Sequence, residues 1–182
     1  MTHLEESDVA FDFGAQWHVF ELDDHRDYRE GVQKIQETEA VDFLGIWKER
    51  ELYLIEVKNF RRYRIANKEK LASGALAVQL AQKVRDSLAC IVGASRTSST
   101  PEHWQPYAKL LGNAESPIKV ILWLEHDLPS EPILRKKALA SVRVNTFKQK
   151  LIWLTNRVFV GNCGQPNLPD VQVTYLPRPP IT

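Results

Sequence analysis

Two runs in the first third of the chain, 40–47 (AVDFLGIW) and 51–60 (ELYLIEVKNF), are rich in β-branched and aromatic residues and are separated only by Lys48, Glu49 and Arg50, a pattern that predicts a β-hairpin. A third apolar run, 118–125 (IKVILWLE), fits a buried strand, and 17–22, 151–155 and 158–160 read as shorter strands. Elsewhere the period changes. Within 69–92, Leu76, Leu80, Val84 and Leu88 recur every four residues with alanines beside them, predicting the longest helix, with Gln79, Lys83 and Asp86 on its polar side. Tyr28, Val32 and Ile35 predict a short amphipathic helix over 24–35. Thr100-Pro101 reads as an N-cap and first helical residue of a helix reaching about Leu111, and another short helix is expected near 132–140. Five of the ten prolines follow residue 165, so the tail is expected to run extended over the surface. The order of elements predicts an α/β fold with one mixed central β-sheet flanked by helices. It is expected to be a single domain over 1–182, with its core at 17–125, an added helix and strands at 126–165 and a Pro-rich tail at 166–182.

Composition narrows the function classes. With 43% apolar and 26% charged residues the chain has the make-up of a folded protein and not of a disordered one. No apolar run approaches the ~18 residues of a membrane span, and the start, Met1–Glu6, is polar and acidic, so a cytoplasmic protein without membrane attachment is expected. Cys90 and Cys163 are too few for a disulfide framework or a four-thiolate zinc site, and the five histidines show no paired metal-ligand spacing. Net charge is only +1, but residues 1–56 hold 15 acidic and 5 basic side chains while the rest hold 8 and 19. That asymmetry predicts one acidic region and one face for an anionic ligand.

The hairpin carries the chemistry. Residues i and i+2 of a strand share a face, so Glu56 and Lys58 project together while Ile55 and Val57 point the other way. A turn centred on Glu49 sets Asp42 opposite Glu56, with Cβ atoms roughly 4.5–5.5 Å apart. Two carboxylates that close repel unless a cation lies between them, and two oxygen ligands with open positions suit Mg²⁺. Removing either carboxylate should then relieve repulsion and leave the fold intact. Gln79 or Lys83 of the following helix can approach from the side. Directly after the strand come Arg61, Arg62, Arg64, Lys68 and Lys70, with Phe60 and Tyr63 among them, a composition suited to tracking phosphates. A second basic segment lies at 131–160, with seven basic residues against Glu131 alone.

Asp42 on one strand, Glu56-Val57-Lys58 on the next and a helix after them resemble the signature of the PD-(D/E)xK, or restriction-endonuclease-like, nuclease superfamily, over roughly residues 20–92, with Val41 where the name-giving proline would stand. The resemblance implies a restriction-endonuclease-like core and Mg²⁺-dependent hydrolysis of phosphodiester bonds, with Mn²⁺ as a substitute. DNA is the implied partner with RNA left open, and endonuclease action is favoured over exonuclease action. Asp42, Glu56 and the Val57 carbonyl would hold metal, and Lys58 would position the attacking water or stabilise charge on the phosphate. Gln79 or Lys83 would assist, and an additional upstream acid would be Glu30 or, failing that, Glu21. Arg61, Arg62, Arg64, Lys68 and Lys83 are the implied nucleic-acid contacts. A restriction or anti-phage role, alone as a homodimer or in a larger defence complex, fits stand-alone members of this kind. The alternative is a catalytically inactive nucleic-acid-binding or scaffold subunit on the same fold.

Overall fold

The hairpin forms around a turn in which Lys48 (φ 52°) and Glu49 (φ 54°) both take positive φ, closed by Arg50 N–H donating to the Trp47 carbonyl at 3.2 Å. Consecutive positive-φ residues match the twist of antiparallel strands, and here neither is glycine or asparagine. The computed structural model describes residues 1–61, 74–125 and 144–177.

Among the described residues eight strands form two sheets. Strands β1 (Thr2–Glu6), β2 (Val9–Phe13) and β8 (Val171–Tyr175) make a three-stranded antiparallel sheet in the order β1-β2-β8. Strands β3 (Trp17–Glu21), β4 (Phe43–Trp47), β5 (Glu51–Asn59), β6 (Ile118–Glu125) and β7 (Val158–Gly161) form a five-stranded mixed sheet in sequential order. Within it β3, β4 and β5 are antiparallel, and β5, β6 and β7 parallel. The fold is therefore α/β, as expected. Helix α1 (Arg26–Glu30) and a 3₁₀ turn (Val32–Lys34) lie between β3 and β4. Helices α2 (Ala75–Thr97) and α3 (Pro101–Gly112) span the crossover that the parallel β5–β6 pair requires.

Both faces of the five-stranded sheet are covered, which explains its near-continuous apolar runs. Leu44, Ile46, Leu52, Leu54, Val120 and Leu122 pack with Leu80, Val84 and Ile91 of α2 and Trp104 and Tyr107 of α3. Phe43, Tyr53, Ile55, Val57, Ile121 and Trp123 pack with Val9, Phe11 and Phe13 of the smaller sheet. Phe11 meets Phe43 and Trp123 edge-on, with ring centroids 5.3 and 5.1 Å apart. Phe11→Ala should therefore lower stability by about 3–5 kcal/mol in urea unfolding. An effect below about 1 kcal/mol would show that the two sheets do not depend on this contact.

Several elements differ from expectation. The first 13 residues and the Pro-rich tail supply a second sheet, with β8 paired to β2, where no N-terminal strands and only an extended tail were foreseen. Residues 144–151 are helical, and 151–155 form a turn in which the N–H groups of Leu154 and Thr155 both donate to the Leu151 carbonyl at 2.9 Å. The apolar run there ends a helix, leaving Ile152 and Trp153 exposed. The helix over 24–35 is cut at Gly31, where a Cβ would come within 2.6 Å of the Asp27 carbonyl oxygen. The helix foreseen near 132–140 lies outside the described residues. Among the described residues no helix is long and apolar enough to cross a membrane.

Candidate active site

The β4–β5 ladder pairs Phe43 with Ile55, Leu44 with Leu54 and Trp47 with Glu51, the register expected from the apolar pattern. One step beyond it Asp42 meets Glu56. The Asp42 carbonyl accepts from the Leu22 N–H (2.8 Å), which holds its backbone to the end of β3, and Asp42 Oδ2 accepts from the Val57 N–H at 2.6 Å, which fixes the carboxylate on β5. Glu56 shares the helix-facing side with Leu52 and Leu54, and both carboxylates are buried, at 5% exposure for Asp42 and 1% for Glu56.

Two lysines hold this pair. Lys83 of α2 is itself only 8% exposed because it lies between Leu80, Val84 and Ser87 on the buried stripe of the helix. Its Nζ donates to Glu56 Oε2 at 3.0 Å and lies 2.8 Å from Oε1 and 3.7 Å from Asp42 Oδ1. Lys58, 26% exposed, places Nζ 2.6 Å from Glu56 Oε1. Both ammonium groups are thus within ion-pair reach of Oε1, which is the most heavily compensated oxygen of the pair.

Helix α2 also positions the segment that leads into Asp42. Ser87 Oγ accepts from the Val41 N–H at 3.0 Å and donates to the Lys83 carbonyl at 2.7 Å, while Asp86 Oδ2 accepts from the Glu39 N–H at 3.3 Å. Ser87 and Asp86 are thus positioning residues that sequence reasoning did not assign to the site. Their signal was modest: they follow Lys83 by one turn on the same helix.

Electrostatics follow from this burial. Asp42 is pushed up to about 7, first by burial and then by the neighbouring Glu56 charge, with Lys83 and the Val57 N–H pulling the other way. For Lys83, burial works against the charge, but Glu56 and Asp42 outweigh it and hold the ammonium above its usual value. Asp23 is also raised, by burial first and then by Glu6, with Glu56 contributing and Lys83 opposing. It lies beside the pair in a cavity of about 470 Å³ lined by Glu6, Glu21, Asp23, Asp24, Glu39 and Lys83, among others.

Asp23 is an upstream acid that feels the charges of both Glu56 and Lys83. Glu30 does not reach the carboxylate pair: its side chain is 68% exposed, ion-paired with Arg26 at 3.9 Å, and lines a separate groove with Asp27 and Cys90. Glu21 lines the acidic cavity. Gln79 donates to Glu39 Oε2 at 3.2 Å, one step from the carboxylate pair. Lys83, expected as a nucleic-acid contact, has its ammonium among the carboxylates of Glu56 and Asp42. Arg61 stacks on the Tyr175 ring, 3.7 Å from its centroid, and its Nε donates to Asn59 Oδ1 at 3.0 Å. Arg62, Arg64, Lys68 and Lys70 lie outside the described residues.

Among the described residues no three His, Cys, Asp or Glu side chains gather closely enough to hold a metal ion. The oxygens that do converge, from Asp42 and Glu56, are hard carboxylate donors, and the position between them already draws a cation, the Lys83 ammonium. This set fits Mg²⁺, which keeps several waters and needs only one or two protein carboxylates. No family model matches the chain, and neither does any curated protein or solved structure.

The raised Asp42 carboxyl has a consequence for stability. The folded state favours its protonated form, so its contribution is fully present below the ordinary value near 3.8 and is lost as pH rises through about 7. Each unit of displacement is worth about 1.4 kcal/mol. Asp42→Asn keeps an oxygen for the Val57 N–H and removes the charge. In metal-free buffer the variant should gain stability relative to wild type between pH 4 and pH 8, as read by urea unfolding across that range. Profiles that stay parallel would contradict the buried, uncomfortable carboxylate.

Proposed function

We propose that this chain is a Mg²⁺-dependent nuclease that hydrolyses phosphodiester bonds of DNA, with a site of the PD-(D/E)xK kind. The observation that carries this reading is the meeting of Asp42, Glu56 and Lys58 at one end of the central strands, two buried carboxylates beside a partly open ammonium. Asp42, Glu56 and the Val57 carbonyl would hold the metal. When bound, Mg²⁺ would polarise the scissile phosphate and lower the pKa of an attacking water. Asp42 is pre-set by its bond from the Val57 N–H, so little reorganisation is required of it. Lys58, partly open to solvent, can donate to an attacking water or to a phosphate oxygen while anchored on Glu56. Arg61 leaves the same strand end, and the basic residues after it supply counter-charge for a polyanion.

One observation favours a second reading. Lys83 already compensates the carboxylates from within, as a structural ion pair would in a catalytically silent nucleic-acid-binding subunit. Incubating the purified protein with supercoiled plasmid, linear duplex and RNA, each in Mg²⁺, in Mn²⁺ and in EDTA, separates the two. The nuclease reading expects nicked or linear plasmid with metal and none in EDTA. Binding of DNA without cleavage in any metal would establish the silent subunit.

A further inference from the structure

We propose that Lys83 is a resident counter-cation occupying the divalent-cation position between Asp42 and Glu56, so that metal binds by exchange while the ammonium withdraws into the acidic cavity beside it. This rests on the reading of Asp42 and Glu56 as metal ligands. The same oxygens are at issue: Nζ lies 2.8 and 3.0 Å from the two Glu56 oxygens and 3.7 Å from Asp42 Oδ1. A divalent ion reaching both carboxylates would be brought against this ammonium, and like charges at that range in a buried site repel strongly.

The ammonium has somewhere to go. Lys83 lines the cavity of about 470 Å³ whose walls carry Glu6, Glu21, Asp23 and Glu39. A lysine ammonium is a compact point charge on a flexible four-carbon stem, so it can change partners without the fixed geometry an arginine would demand. Glu39 is steadied for this by the bond from Gln79 Nε2 at 3.2 Å and by its own N–H to Asp86. The cavity thus serves as a second seat for the side chain. In this arrangement the carboxylate pair is never left without a cation.

Calorimetric titration of Mg²⁺ and Ca²⁺ into wild type and Lys83→Met provides the test, with binding as the readout and no substrate present. Lys83→Met lacks the competitor and should bind both ions at least tenfold more tightly. Its metal-free melting temperature should fall below that of wild type, and saturating Ca²⁺ should raise it by more than it raises wild type. Equal or weaker affinity in folded Lys83→Met would overturn the exchange while leaving the metal site standing. Absence of Mg²⁺ and Ca²⁺ binding in both proteins would overturn the metal reading and the exchange with it. Should Lys83→Met fail to fold, wild type with ¹³C-labelled lysine answers the same question. The Lys83 Cε resonance should shift as Ca²⁺ saturates the protein, and an unmoved resonance with Ca²⁺ bound would overturn the proposal.

Discussion

Glu56→Ala is expected to abolish cleavage and to lower stability by about 3–5 kcal/mol in metal-free buffer, the range for breaking a buried ion pair from one side. The loss of activity follows from removing a metal ligand. The loss of stability follows from Lys83, a residue only 8% exposed whose ammonium has both of its short contacts, 2.8 and 3.0 Å, with Glu56. Without Glu56 the ion pair left to it among the described residues is with Asp42, at 3.7 Å, while Glu39 acts from farther away. This reverses the expectation drawn from two opposed carboxylates alone, in which deleting either one relieves repulsion. For Asp42 that expectation survives in the asparagine variant, because the carboxylate lies farther from Lys83 and the amide keeps the Val57 bond. Urea unfolding in EDTA with a parallel plasmid assay checks both parts. A Glu56→Ala protein as stable as wild type would show that Lys83 is not held by this pair, and full activity would remove Glu56 from the site.

Lys58→Ala is expected to lower turnover by about 10²–10³-fold, the loss typical of a single preorganised donor to developing charge. Lys58 is on the strand that carries Glu56 and is its partly open neighbour, with Nζ 2.6 Å from Oε1. The fold should be retained, since Glu56 keeps its contacts with Lys83. Mg²⁺ affinity should hold or tighten, because a positive charge beside the ligand oxygens is gone. Single-turnover cleavage at saturating Mg²⁺ separates the two effects. Normal turnover combined with a large loss of metal affinity would contradict a role in chemistry.

The parts of the molecule legible in the sequence are those where a local pattern and burial agree. The turn centred on Glu49 specifies a hairpin register that the ladder reproduces, and slipping by one residue would move Phe43 and Ile55 from the face under the smaller sheet to the helix face. The four-residue recurrence of Leu76, Leu80 and Val84 marks the face of α2 that packs on the sheet. In the smaller sheet β2 carries a period-two signal in Val9, Phe11 and Phe13, but its two partner strands do not. Thr2–Glu6 is mostly polar, Val171–Tyr175 follows a cluster of prolines, and the β2–β8 pairing joins the two ends of the chain. Lys83 reads as a polar-face residue because helical period places it at the margin of the apolar stripe, and only packing against β5 shows that the margin is buried. Asp23 was passed over for Glu30 because an acid from the helix was sought. The β3–β4 pairing of Glu21 with Phe43 and the Leu22–Asp42 bond are what bring the loop after β3 to the site.

The central claim, that Asp42 and Glu56 together bind a divalent cation, is tested most directly by anomalous scattering from crystals equilibrated with Mn²⁺. The expected result is a peak about 2.1 Å from a carboxylate oxygen of each residue, within the range for a hard octahedral ion. Saturating Mn²⁺ that leaves no peak between the two carboxylates, with Lys83 Nζ still seated there, would contradict it.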